Sequence, residues 1–207
     1  MHEEQPPPTP DPLAEALLPV LVHRMNNSTQ LLSNLRTVLQ AAPGRDWLTE
    51  RSEDLADAHG ELRITGYLLA LVSCACGADL LLERREGRGL VWLLRAVGEV
   101  VRREGGRLTE PPSGFPEVAP AASSWELLWL VGRLVHGAGR RAAAEGGELV
   151  WALEVPDGAA AVMRISPGPR GGEVPVELVE RIPGAELVLS DEDARLSLPP
   201  GVLVTGA

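Results

Sequence analysis

One histidine in this chain stands where it could react. The stretch Leu21-Val22-His23-Arg24-Met25-Asn26-Asn27-Ser28-Thr29-Gln30 sets His23 among carboxamides and away from any carboxylate. On a helical wheel at about 100° per residue, His23 lies about 120° from the centre of the apolar stripe, and Asn27, Gln30 and Asn34 follow near the same face. A histidine on that face offers solvent a ring nitrogen with a nucleophilic lone pair. A solvated helix face also carries histidines without a role, and the residue alone does not separate the two cases.

The element that must position His23 is a long amphipathic helix. From about residue 13 to 42, Leu17, Val20, Leu21, Leu31, Leu35, Val38 and Leu39 recur at helical spacing. Asp11 suits the N-cap and Pro12 the first turn. Pro43-Gly44 stops the helix. Pro19 lies inside the pattern and predicts a kink or a later start of the regular helix. Arg24 falls within the apolar stripe, where its stem can pack while the guanidinium reaches outward. A second helix is predicted from residue 46 or 47 to 86, with Leu55, Leu62, Tyr67, Leu68, Leu71, Val72, Ala75, Leu80 and Leu81 apolar. Two such helices on a short connection form a hairpin, which cannot bury both stripes alone. Two hairpins paired as a four-helix bundle can, so a homodimer is expected.

His23-Arg24-Met25-Asn26-Asn27 resembles the phosphoacceptor box of sensor histidine kinases, commonly His-Glu-(Leu/Ile/Met)-x-(Asn/Thr)-Pro. The resemblance makes His23 the phosphorylated histidine, Met25 the apolar position and Asn27 the polar residue that positions water or a partner. Arg24 stands where the family has its acidic base, and Ser28 where it has proline. The helical hairpin is similar to the family's dimerisation and histidine-phosphotransfer domain.

After residue 87 the pattern reads as a helix over 89–104, a short strand over 107–109 and a helix over 124–145 opened by the capping box Ser123-Ser124-Trp125-Glu126. Gly146-Gly147 closes that helix. A hairpin over 148–155 and 160–165 turns around Pro156-Asp157-Gly158. A short helix over 174–182 and strands over 186–189, 194–198 and 202–204 complete it. The order resembles the family's ATP-binding domain in shortened form. The expected fold class is thus α+β: a two-helix hairpin forming a dimeric four-helix bundle, then a small degenerate ATPase-like α/β sandwich. The expected divisions are a tail over 1–12, the hairpin domain over 13–86 and the α/β domain over 87–207.

The family's ATP site needs two asparagines on one helix, an Asp-x-Gly-x-Gly loop and a glycine-rich lid. Arg133 and Gly137 fall at the two asparagine positions, and neither offers the oxygen ligand that Mg²⁺ takes. The loop Ser166-Pro167-Gly168-Pro169-Arg170-Gly171-Gly172 lacks the aspartate, and its two prolines remove backbone donors. The lid region, over 175–185, is too short to cover a nucleotide. As a phosphate loop, Gly168–Gly172 lacks a lysine, a residue type the chain does not contain, so a surface turn is expected there.

The net charge of −10 argues against nucleic-acid binding. Residues 1–12 are acidic and proline-rich, with none of the features of a signal peptide. The most apolar run, Tyr67 to Leu82, is broken by Asp79 and is shorter than the roughly 20 residues of a membrane span. A cytoplasmic component acting downstream of another protein is expected. Cys74 and Cys76 point about 200° apart on the second helix and read as core filling, not as a disulfide or metal pair. His59 and His136 have no matching ligand set, and His2 lies in the tail.

These readings converge on a histidine phosphotransferase without ATP binding. His23 would take a phosphoryl group from the aspartyl phosphate of one receiver domain and pass it to another, with Mg²⁺ brought by the receiver and no cofactor of its own. Asn27 would position the group and Arg24 would contact it, while Asn26, Gln30 and Asn34 would line the docking face for response-regulator receivers. The alternative is a non-catalytic dimeric adaptor or pseudokinase that binds or inhibits a kinase or response regulator.

Overall fold

Asp11 opens the first helix. Its Oδ1 accepts the backbone N–H groups of Leu13 and Ala14 at 2.8 and 3.2 Å, so two donors left free at the helix start are satisfied. The computed structural model describes residues 11–41, 51–78, 88–109, 118–120, 124–156 and 158–205. Helix α1, Pro12–Ala41, runs unbroken through Pro19. The expected stop at Pro43-Gly44 lies outside the described residues.

Helix α2, Ser52–Ala75, packs antiparallel to α1. It ends earlier than the periodicity predicts. Gly77 takes φ +90°, and the Ala78 N–H closes on the Ser73 carbonyl at 2.9 Å. The apolar run continues past a backbone that has already left the helix, which hydrophobicity alone does not reveal. The expected residues 46–50 and 79–86 lie outside the described residues.

Helix α3, Gly89–Arg103, and helix α4, Trp125–Glu145, cross closely. A Cβ at Gly139 would lie 2.4 Å from Val101 Cγ2, so only glycine permits this approach. The N-cap of α4 is Ser124, whose Oγ accepts the Leu127 N–H at 3.3 Å. The cap therefore falls one residue later than the Ser123–Glu126 pair predicts. Glu126 instead takes the Ser124 hydroxyl at 3.4 Å.

Strands β1 (Leu108–Thr109), β3 (Leu149–Glu154), β4 (Ala161–Ser166), β5 (Glu186–Leu189) and β6 (Ala194–Leu198) form one sheet in the order β1-β3-β4-β6-β5. The β1–β3 pair is parallel and the rest antiparallel. A 3₁₀ turn at Gly171–Glu173 and the short helix α5, Val176–Glu180, connect β4 to β5. Strand β2, Val118–Pro120, pairs with β7, Leu203–Thr205, in a separate two-stranded sheet. The sequence pattern does not anticipate β2.

The fold class is α+β: a helical region followed by helices on one face of a mixed sheet. Leu149, Trp151, Met163, Ile165, Leu196 and Leu198 point inward by strand alternation, while Val150 and Val188 stay exposed on the other face. A single apolar cluster unites these residues with α3, α4, the first half of α1 (Leu13, Leu17, Val20, Leu21) and the second half of α2 (Leu68, Leu71, Val72). This core runs across the boundary expected at residue 86. Among the described residues, no helix is long and apolar enough to cross a membrane.

Candidate functional site

His23 sits just beyond the point where α1 leaves that shared core. Val20 and Leu21 are fully buried, and His23, two residues further on, is exposed. Asn26, Asn27, Gln30 and Asn34 are exposed as well, so the structure keeps this carboxamide face in solvent beside the imidazole. Asn27 Nδ2 lies 3.2 Å from His23 Nε2. An amide donor there fits the tautomer with its lone pair on Nε2 and its proton on Nδ1. The i, i+4 spacing makes this contact possible, since residues one turn apart stack on a helix.

Arg24 points elsewhere. Its side chain is 23% exposed and its guanidinium donates to Glu61 of α2 at 3.3 Å and to Glu99 of α3 at 3.4 Å. Glu99 also accepts from Arg103 at 2.6 Å. The Nε of Arg24 is buried without an acceptor among the described residues. Ser28 is buried too, and its hydroxyl donates to the Arg24 carbonyl at 3.1 Å. Between α1 and α2, a cleft of about 190 Å³ is lined by Arg24, Asn27, Ser28, Leu31, Asp57, Ala58 and Glu61. Sequence reading missed Glu61 and Glu99. The available signal was Arg24 itself, because a charge within an apolar stripe demands a carboxylate from a facing element.

A third face of α1 carries Leu18, Val22, Met25 and Leu32, all exposed. At about 100° per residue these four fall within about 80° of arc, roughly 145° from His23. The helix thus presents a buried stripe, an exposed apolar seam and an exposed carboxamide face in three directions.

The two positions matched to the family's asparagines are taken up by protein contacts. Arg133, 13% exposed, donates to Asp11 Oδ2 and to the Glu173 carbonyl, each at 2.7 Å. A Cβ at Gly137 would lie 3.0 Å from Pro169 Cβ and 3.2 Å from Glu173 Oε2, so the 166–172 loop rests directly on α4. The gap left there, lined by Pro12, Arg133, His136, Gly137, Arg140, Gly172 and Glu173, is about 90 Å³. Pockets that enclose a drug-sized ligand hold roughly 300–1,000 Å³. Neither Arg133 nor Gly137 offers a side-chain oxygen to this gap. A larger open cleft of about 610 Å³ lies further along α4, where Arg141 and Arg170 share the lining with Glu145 and Asp191.

His136 is buried on α4, with Nε2 3.2 Å from Glu104 Oε2. Burial lowers its pKa below the usual histidine value. Glu104 opposes that shift, and the positive charges of Arg140 and Arg133 add to it. It is a core histidine and stands apart from His23.

No protein-family model matches the sequence, and no curated protein matches it. Among solved structures, the chain is similar to the histidine kinase domain from Erythrobacter litoralis EL346 blue-light activated histidine kinase, at 16% identity, 84% coverage of this chain, 94% of that chain and a TM-score of 0.39. A second structure, of Erythrobacter litoralis EL346 blue-light activated histidine kinase, is 13% identical over 83% of this chain and 63% of that chain, with a TM-score of 0.41.

Proposed function

We propose that this protein is a histidine phosphotransferase that relays a phosphoryl group between the aspartates of two receiver domains through His23. The observation that carries this reading is the exposed His23 imidazole, held at Nε2 by the Asn27 amide on a face otherwise made of carboxamides. Such a face offers a nucleophile and hydrogen-bond donors for phosphoryl oxygens, and it leaves room for a docking protein.

The step requires little of this chain. Asn27 swings off Nε2, whose lone pair attacks the phosphorus of the receiver's aspartyl phosphate in line with the leaving oxygen. The N–P bond forms as the acyl phosphate P–O bond breaks, and the carboxylate leaves with the electron pair. The proton on Nδ1 remains on the ring until it exchanges with solvent. Transfer to the second receiver is the reverse step, with a new carboxylate as nucleophile. The Mg²⁺ that screens the phosphoryl charge belongs to the receiver, and no nucleotide enters. Asn26, Gln30 and Asn34 line the docking face. Two copies pair through the Leu18, Val22, Met25 and Leu32 seam, which leaves the His23 faces outward. Neither nucleic acid nor a membrane is a partner in this reading.

The test is transfer from a panel of phosphorylated receiver domains to the purified protein, with His23→Ala alongside. Acid-labile, base-stable label on the wild type that vanishes in the variant supports the relay. Absence of label with every receiver, together with tight binding to one of them, sinks it in favour of a non-catalytic adaptor.

A further inference from the structure

We infer that Arg24 is a positioning residue, a clamp that ties the His23 segment of α1 to the α/β body through Glu99 and to α2 through Glu61. The inference rests on the phosphotransfer reading for its consequence but not for its geometry. Three observations carry it. The core-forming residues of α1 end at Leu21; beyond that point only Ser28 and Leu35 are buried among the described side chains of the helix, and neither belongs to the shared apolar cluster. Arg24 is therefore the first residue past the core that can hold α1 against both neighbours. Its two carboxylate partners come from two different helices, 3.3 and 3.4 Å away. Glu99 is in turn fixed by Arg103 at 2.6 Å, so the acceptor on the body side is itself held.

A planar guanidinium can span two carboxylates with separate nitrogens, NH1 to Glu61 and NH2 to Glu99. With its charge engaged on both sides, Arg24 sets the rotation of α1 one residue from the imidazole. The His23 ring then faces outward at a fixed angle to the α/β body, and a receiver touching both surfaces meets it in line. Misplacement of a reacting group by about an ångström lowers rates by up to about a hundredfold. The clamp acts on that placement and makes no contact with the phosphoryl group.

The experiment is a double-mutant cycle on the full chain: Arg24→Gln, Glu99→Gln and both together, each assayed for transfer from a phosphorylated receiver and for labelling by phosphoramidate. Phosphoramidate is a small donor that modifies histidine without docking. Each single variant is expected to lower receiver transfer roughly 10–100-fold, and the double to be no worse than either single. Glu99→Gln is expected to leave phosphoramidate labelling within about twofold of wild type. A Glu99→Gln protein that transfers like wild type, or single effects that multiply in the double, overturns the clamp. Loss of phosphoramidate labelling in Arg24→Gln alone does so too, and returns Arg24 to direct phosphoryl contact. Amide hydrogen exchange gives a readout independent of any transfer. Arg24→Gln should speed exchange along residues 24–41 and leave 13–21 protected, and unchanged exchange in both segments also refutes the proposal. If wild type takes no label from any receiver while exchange responds as expected, the clamp stands and the relay reading falls.

Discussion

The Asp11 carboxylate and the Arg133 guanidinium meet at 2.7 Å across 122 positions of sequence. One carboxylate does three things here. Oδ1 caps α1, while Oδ2 accepts from Arg133 and from Trp129 Nε1 at 3.1 Å. The start of the His23 helix is thereby fixed to α4, and the Arg133 side chain is committed to structure.

Asp11→Ala should therefore destabilise the fold beyond the loss of a cap. A lost N-cap costs about 1 kcal/mol, and a half-buried arginine and indole N–H left without their acceptor add a similar amount or more. A total near 2–3 kcal/mol would lower Tm by roughly 4–12 °C in a chain of this size. Asp11→Asn keeps the cap and should lose about half as much. Thermal unfolding of the two variants side by side decides it, and equal Tm values for Asp11→Ala and wild type would deny the three-way role.

Gly137→Asn places an asparagine at one of the two helix positions that the sequence resemblance matches to kinase asparagines, and it should confer no nucleotide binding. A Cβ there lies 3.0 Å from Pro169 Cβ and 3.2 Å from Glu173 Oε2, so the loop must give way by a few tenths of an ångström to admit the new side chain. Overpacking of this kind costs about 1–3 kcal/mol. Calorimetric titration with Mg²⁺-ATP is expected to give no saturable binding in either protein, with the variant the less stable. Micromolar affinity in wild type would show that the Arg133–Glu173 contacts open for a nucleotide.

Stability should fall in acid through His136. Its folded pKa lies below the unfolded value, chiefly because burial penalises the charged ring. Above about pH 6.5 the ring is neutral in both states and the full stability is present. As pH falls from about 6.5 towards the lowered folded value, the unfolded chain takes up the proton first and stability is lost. His136→Gln, which retains a donor for Glu104, should flatten that part of the pH profile. Urea unfolding of both proteins at closely spaced pH values between about 7 and 5 reads the difference in slope. Parallel profiles would mean that other groups carry the acid sensitivity.

Much of the fold was legible because it is local. The Asp11-Pro12 start of α1, the Gly146 end of α4 at φ +68° and the β3–β4 hairpin are written in adjacent residues. The end of α2 was not, since Gly77 takes its positive φ within a run whose apolar pattern continues. Strand β2 was not, because Val118-Ala119-Pro120 has no alternation and forms only where the C-terminal Leu203–Thr205 reaches it. At the site, the exposure of His23 and its Asn27 contact followed from helical spacing. The orientation of Arg24 did not, because Glu61 and Glu99 are brought to it by tertiary packing that periodicity does not encode.

The exposed seam of α1 makes a last prediction about assembly. Leu18, Val22, Met25 and Leu32 follow a 4-3-7 spacing, with Thr29 in the intervening position, which is the heptad pattern of a helix that packs against another helix. The buried stripe of the same helix is already satisfied by α2 and the α/β body, so the seam is free to pair with a second copy. Pairing there buries four large side chains per copy and leaves His23, on a face roughly 145° away, open to a receiver. Wild type is expected to dimerise, and the double variant Val22→Glu/Met25→Glu, which places charges on the seam, to stay monomeric with its fold intact, since both side chains are exposed in a single copy. Sedimentation equilibrium of wild type and variant reads the masses directly, with circular dichroism confirming unchanged helix content. A wild type that is monomeric at every concentration tested would refute the seam as a homodimer interface.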